Sequence, residues 1–337
     1  MARQRILTGM RPTGPLHLGH YSGALENWIE LQHDYECYFL IADYQALGDH
    51  VEQIDLIRQS VLDVALDWLS VGLDPDESSF VIQSYIPEHT ELTMYLSMIT
   101  PLRMLQSNPT LKTELAQIKS SRKAVTVGFY TYPVSQIADI LLPKAHLIPV
   151  GEDQIPHIED TRNIARRFNR AYGDIFPVPR AKIGRIPRLV GVDGNAKMSK
   201  GLNNAIYLSD PPGVVRDKVK KMVTDITGQN PRLRATDPGI VEYNPVFSYH
   251  DAFNSDAAEV ANLKELYSNG AVSDSVVKEQ LIDALNKFLE PIREKRAHYE
   301  SRPDEVHQIL LNGTKREKKL AEETMQEVRE AMGVIYT

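Results

Sequence analysis

The chain has 337 residues, 42% of them hydrophobic and 25% charged, with a formal net charge of −7. That length allows two domains with cores of their own, since domains commonly hold roughly 100–200 residues, and no apolar run approaches the ~20 residues of a membrane span. The single cysteine, Cys37, excludes an internal disulfide and a cysteine-built metal centre, and the acidic balance leaves any nucleic-acid partner to local basic patches.

In chain order, "RILTGM" (5–10) reads as a first strand. The preceding residues lead into it without the apolar core and cleavage site of a secretory signal, so a cytoplasmic location is expected. "YSGALENWIELQ" (21–32) sets Leu25, Trp28, Ile29 and Gln32 on one helical face, and "CYFLIADY" (37–44) reads as a buried second strand. "QIDLIRQSVLDVALDWLSVG" (53–72) predicts a long helix closed by Gly72, and "SSFVIQS" (78–84) returns to strand. This βαβαβ order predicts an α/β fold with a doubly wound parallel sheet.

From Pro87 the text turns to helices and polar loops, a helical insertion over about 87–130, before "VSQIADILLPKAHLIPVG" restores a helix and a strand. Residues 182–204 are rich in Gly, Asn and Lys with little periodicity, and a mobile loop is expected at about 190–203. Beyond it, "PPGVVRDKVKKMVTD", "DAAEVANLKELYSNG", "SDSVVKEQLIDALNKFLEPIREKRAHYE" and "GTKREKKLAEETMQEVREAMGV" all read as amphipathic helices. The expected division is a catalytic domain over 1–195 and an all-helical domain over 205–337. Parallel strands carry ligands at their carboxyl ends, where the strand order reverses, and both "TGMRPTG" and "VGEDQ" fall at strand ends.

Three constellations carry chemistry. In "PLHLGH", His17 and His20 stand three apart around Gly19 at a helix start, where backbone N–H groups and the helix dipole favour an anion. Spacing alone leaves open phosphate-facing donors, packing residues and, least favoured, metal ligands, because no comparable His/Cys cluster accompanies the pair. The second, "KMSK" (197–200), is a bland charged loop by itself; next to the histidines, its lysines suit a polyphosphate on which charge develops. In "VGEDQ" (150–154), a glycine at a strand end is followed by acidic side chains that suit ribose hydroxyls, with Asp153 alternatively an N-cap.

"TGMRPTGPLHLGHYSGALENW", "YPVSQIADILL", "IPVGEDQIPHIEDTRNIARRFN" and "AKMSK", in that order over nearly the whole chain, resemble the class I aminoacyl-tRNA synthetases, and within them the tryptophanyl enzymes. The resemblance implies a Rossmann-like catalytic domain followed by an anticodon-binding helical one. It also implies activation of L-tryptophan with ATP, transfer to tRNA(Trp), Mg²⁺ carried by the ATP with no metal bound by the protein itself, and a homodimer. Carried over residue by residue, Arg11, Pro12, Thr13, Gly19 and His20 match the ATP-contacting turn; Gly151, Glu152 and Asp153 a second ATP stretch; Ile186 an adenine contact; and Lys197, Met198, Ser199, Lys200 and Gly201 the signature loop. His17, His20, Lys197 and Lys200 would carry the catalysis. Asp139 resembles the acceptor of the indole N–H, with Leu7, Tyr132, Gln136 and Gln154 around the amino acid.

Two positions depart from the pattern: Gly201 stands where many relatives have a second serine, and Gln136 where many bacterial tryptophanyl enzymes have methionine. Tyr132, Gln136 and Asp139 are also spaced as in the tyrosyl enzymes. Those enzymes, however, place a tyrosine and an aspartate where this chain has Leu7 and Arg11, and an apolar Leu7 suits an indole better than a phenol. Rival readings are a tyrosyl-type enzyme, a small-molecule adenylyltransferase and a synthetase-like binding protein with weak charging. Basic clusters at Arg216, Lys218, Lys220 and Lys221, at Arg232 and Arg234, and at Lys315, Arg316, Lys318 and Lys319 are candidate tRNA phosphate contacts or solvated helix faces.

Overall fold

The computed structural model describes residues 3–120, 124–151, 154–183, 189–194, 198–228, 234 and 236–336. Its sheet has five parallel strands in the order β3-β2-β1-β4-β5: β1 (Arg5–Met10), β2 (Glu36–Ile41), β3 (Ser78–Ile82), β4 (Leu147–Val150) and β5 (Arg180–Ile183). The order reverses between β1 and β4, which opens a crevice at their carboxyl ends.

Alternation within β2 shows how the sequence places the sheet between two layers. Cys37, Phe39 and Ile41 face one core with Trp28, Trp68 and Phe80, while Tyr38 and Leu40 face another with Leu7, Leu96 and Ile137. Trp28 stacks on Phe39 at 5.2 Å and Trp68 meets Phe80 edge-on at 5.4 Å, geometries that add to plain burial.

The first crossover is one helical run of three parts: α1 (Leu18–His20), a π-helical turn at Tyr21–Leu25, and α2 (Glu26–Asp34). The expected strand at 37–44 stops at Ile41, and α3 (Asp43–Asp49) begins where Asp43 ends the apolar run. α4 (Ile54–Val71) ends at Gly72, whose φ of +105° is the left-handed cap that favours glycine. The insertion is helical: α5 (Glu88–Ile99), α6 (Leu102–Ser107) and α7 (Pro109–Ser120) precede α8 (Val127–Leu141), and α9 (Ile155–Tyr172) follows β4. β5 lies where the sequence reading placed the start of the loop.

Among the described residues five α-helices follow: α10 (Pro212–Lys220), α11 (Pro245–Phe253), α12 (Ala257–Ser268), α13 (Asp274–Glu300) and α14 (Pro303–Met332). Their apolar faces join the sheet's cores. Ile206, Val215, Phe247, Leu281 and Leu310 share a cluster with Ile6 and Trp68, and Ala321, Met325 and Val328 share the other with Leu96 and Ile137.

α14 reaches the sheet at the free edge of β3. Gly313 lies so close that a Cβ there would stand 2.3 Å from the Phe80 carbonyl oxygen. The Ile82 N–H donates to Thr314 Oγ1 at 3.0 Å, and Arg316 donates to the carbonyls of Pro75 and Ser78, both at 2.8 Å. An edge strand with unpaired backbone groups is thereby covered. Among the described residues no helix is long and apolar enough to cross a membrane.

Candidate functional site

The turn after β1 brings the first two constellations together. Gly14, at φ +110°, turns the chain, and residues 16–18 lie along 206–208, with Leu18 N–H donating to Ile206 O at 2.9 Å and Leu208 N–H to Leu16 O at 3.0 Å. His17 is buried, its backbone N–H donating to His20 Nδ1 at 3.1 Å, and the two rings lie 3.7 Å apart. His20 itself is half-buried. Gly19 lies close against the histidine pair: a Cβ would sit 3.1 Å from the His17 ring, which would have to give way by a few tenths of an ångström.

The signature segment docks onto this turn. Gly19 N–H points at Met198 Sδ at 3.4 Å, and Lys200 Nζ donates to Gly14 O at 2.5 Å. Ser199 N–H donates to Asn204 Oδ1 at 2.8 Å, whose amide donates to Asp193 Oδ1 at 3.0 Å, so the backbone of the segment is held from behind. Burial first, with Arg11 adding to it, brings the Lys200 ammonium down to about 8 against the pull of Asp67 and Asp63. Lys200 is thus a partly desolvated cation beside the histidine pair. Gly201 follows it, exposed, in a short 3-10 turn.

Arg11 is exposed, Pro12 buried and Thr13 half-buried, with Thr13 N–H closing on Arg11 O at 3.0 Å. Gly151 is exposed just past β4, and half-buried Gln154, the N-cap of α9, donates its backbone N–H to Gly151 O at 3.0 Å. Glu152, Asp153, Ile186, Lys197 and Arg232 lie outside the described residues.

The second centre forms around Asp139, on α8 and 5% exposed. Gln83, just past β3, donates to Oδ1 at 2.7 Å; Gln45, on α3, donates to Oδ2 at 2.9 Å; and His89 Nε2, on α5, lies 2.8 Å from Oδ1. Burial pulls the His89 imidazole down, but Asp139 and the carbonyl of Ser135 outweigh it and raise its pKa. A carboxylate has about four acceptor positions, so capacity for one more donor remains. Leu7 is buried on the same side of the sheet, Gln136 is half-buried one turn before Asp139, and the Tyr132 hydroxyl donates to Glu114 Oε2 on α7 at 2.6 Å.

Glu317 of α14 belongs to this cluster, although the sequence singled out only its basic neighbours. It is 2% exposed, and among the described residues its Oε2 finds no hydrogen-bond partner. Burial first, then Asp139, push its carboxyl up to about 8, with His89 pulling the other way. Gln45, Gln83, His89 and Glu317 were missed because each is an ordinary residue until the fold brings it to Asp139. Only "DYQ" just past the second strand and "QSY" just past the third hinted at them, by position.

The basic clusters are partly committed to the fold. Arg216 and Lys220 pair with Glu279 at 2.8 and 3.3 Å, Lys218 pairs with Asp210 at 2.6 Å, and Arg316 binds the carbonyls at the β3 edge. Among the described residues no group of three or more His, Cys, Asp or Glu side chains is placed to hold a metal ion.

A reversed strand order with a histidine pair and a lysine-bearing segment meeting at its crevice defines a nucleotide-binding enzyme of the class I synthetase type. The family model "tRNA synthetases class I (W and Y)" matches residues 2–290. Full-length relatives include the tryptophan–tRNA ligases of Treponema pallidum, 47% identical over 98% of this chain and 97% of the relative, and of Clostridium longisporum, 46% identical over 100% and 98%. Among solved structures, tryptophanyl-tRNA synthetase from Campylobacter jejuni complexed with ADP and tryptophan superposes with a TM-score of 0.86 at 32% identity, covering 98% of this chain and all of that one. The chain belongs to the tryptophanyl-tRNA synthetases.

Proposed function

We propose that the chain is a tryptophan–tRNA ligase that activates L-tryptophan with ATP, giving tryptophanyl-adenylate and pyrophosphate, and then transfers the amino acid to the 3′-terminal adenosine of tRNA(Trp). The observation that carries this reading is the docking of residues 198–200 onto the turn 14–20 at the carboxyl edge of the sheet against which α8 sets Asp139, beside Gln83 just past β3. The tryptophan carboxylate attacks the α-phosphorus in line and pyrophosphate leaves. The carboxylate is already a nucleophile, so the step needs alignment and charge stabilisation rather than a general base.

His20 Nε2, the Gly19 backbone, Lys200 and Lys197 face the phosphates in this reading, with His17 packed behind His20 to fix its ring. Arg11, Pro12, Thr13 and Gly151 to Asp153 border the nucleotide, Ile186 its adenine, and Met198, Ser199 and Gly201 carry the signature segment. Asp139 takes the indole N–H, with Leu7, Tyr132, Gln136 and Gln154 around the ring and the amino-acid group. Mg²⁺ enters on the phosphates of ATP, as part of the substrate.

The division at 195–205 puts activation on the sheet and anticodon recognition on the helices after it. Lys221, Lys315 and Lys319, exposed and outside the ion pairs described above, are the phosphate contacts we favour. A homodimer in the cytoplasm completes the reading. Pyrophosphate exchange with tryptophan and tyrosine in parallel, followed by charging of total tRNA, is the test. Tryptophan-dependent exchange is expected, and exchange that needs tyrosine instead overturns the assignment.

A further inference from the structure

Asp67 lies behind the histidine turn, on α4, and is fully buried. Its Oδ2 accepts the backbone N–H of Leu16 at 2.7 Å, the residue before His17. Its Oδ1 accepts Arg296 Nη1 of α13 at 2.5 Å, and the same guanidinium reaches Asp63 at 3.0 Å and Glu300 at 2.7 Å. A buried ion pair is seldom more stabilising than the apolar residues that would fill its place, so fold stability alone gives no reason for this one. An uncharged acceptor would hold the Leu16 N–H as well. What a carboxylate adds is fixed negative charge behind Lys200.

Among the described residues, the charged groups that face Lys200 are Asp67 and Asp63 from α4, which favour the ammonium form, and Arg11 from the turn, which opposes it. Arg296 faces the two aspartates from the far side. Desolvation works against the charge on Lys200, whose Nζ is held on Gly14 O in the same turn that Asp67 anchors.

We propose that Asp67, clamped by Arg296 of α13, is a positioning residue for the activation step: it anchors the turn that presents the histidines and keeps Lys200 cationic where the phosphates arrive. The inference rests on the reading of Lys200 as a phosphate-facing group. It also joins the helices after residue 205 to the site of adenylate formation through one guanidinium.

The test is the pH profile of tryptophan-dependent pyrophosphate exchange in Asp67→Asn, with Asp67→Asn/Arg296→Met as a second variant that leaves no buried guanidinium uncompensated. Wild-type exchange should fall as pH rises through about 8, as Lys200 loses its proton. Removing an opposite charge that favours the ammonium form shifts such a group by about one pH unit, so both variants should bring this limb down by that amount. At pH 8 their kcat should fall roughly fivefold, approaching tenfold at higher pH, while the KM for tryptophan stays within about twofold.

A limb that stays at its wild-type position in a folded variant of either kind overturns the proposal. Lys200→Ala separates the two levels. If it abolishes exchange while the Asp67 variants keep the wild-type limb, the inference falls and the functional reading stands. If it leaves exchange intact, the reading of Lys200 falls and the inference with it.

Discussion

Asp67 and Asp139 are both buried carboxylates on helices that pack against the sheet, and their surroundings compensate them in different ways. Asp67 faces an arginine, a cation at every accessible pH, and a neighbouring aspartate shares it. Asp139 faces a histidine and two glutamine amides, and the further acid in its cluster, Glu317, is held toward its neutral form. The first arrangement keeps its charge above about pH 6 and the second leaves one adjustable up to about pH 8. Fixed charge suits an end of the site that meets polyphosphate. An acceptor for a neutral N–H needs only one carboxylate with spare capacity, in a pocket that stays otherwise uncharged.

Asp139→Asn should separate the two ends most sharply. A hydrogen bond to a charged acceptor contributes about 1.5–3 kcal/mol, so the KM for tryptophan in pyrophosphate exchange should rise roughly 10–100-fold. The KM for ATP should stay within about twofold. An equal rise for ATP would mean that the two carboxylates do not serve separate ligands.

The approach of α14 supplies the next test, because Glu317 reaches Asp139 only while Gly313 lets the helix touch β3. Gly313→Ala sets a Cβ against the Phe80 backbone, where nothing flexible can yield. A loss of about 1–3 kcal/mol is expected in urea unfolding. An unchanged midpoint would show that α14 does not press on the edge.

Glu317→Gln probes the adjustable charge directly. The folded carboxyl titrates at about 8 against an ordinary 4.5, so its contribution to stability is complete below pH 4.5 and is lost as pH rises to about 8. The variant should therefore gain on the wild type between pH 5 and 8, by on the order of 4 kcal/mol in unfolding experiments. Asp67, raised to about 6, contributes to the same trend at the lower end in both proteins, so the difference in slope between variant and wild type is what reports on Glu317. The smallest effect is expected for Arg316→Ala. It should cost about 0.5–1 kcal/mol by freeing the carbonyls of Pro75 and Ser78, with tRNA affinity nearly unchanged. A large fall in affinity would move Arg316 from the sheet edge to the phosphate contacts.

Much of the frame was readable from local pattern. The strand at 5–10, the helix closed by Gly72 and the helices at 212–220, 257–268 and 274–300 follow from periodicity and caps that need no tertiary information. α3 was hidden because "CYFLIADY" carries strand-like residues past the sheet's edge, and the helix begins at a lone Asp43. β5 was hidden because "RAKI" is short and half charged. α11 is short as well, its start marked by Asn244, whose side chain accepts from Val246 N–H, and by Pro245 at the first helical position.

The site divides along the same line. "HLGH" and "MSK" announce themselves by spacing, and the fold brings them together across 179 positions. Asp67 and Arg296 are 229 positions apart and Gln45 and Asp139 are 94 apart, and such pairings have no local signature at all. Nor does burial of Glu317, which sits in a run of charges that reads as a solvated face until its turn of the helix meets the sheet.

The cover that α14 gives to β3 also has a consequence in time. The backbone of Ile82 waits for a hydroxyl 232 positions later in the chain. At synthesis rates of about 5–20 residues per second, the rim of the sheet stays open for on the order of 10–50 s on every ribosome making this protein. During that interval the nascent chain offers a bare strand to any other strand nearby, and α14 must displace whatever has paired there.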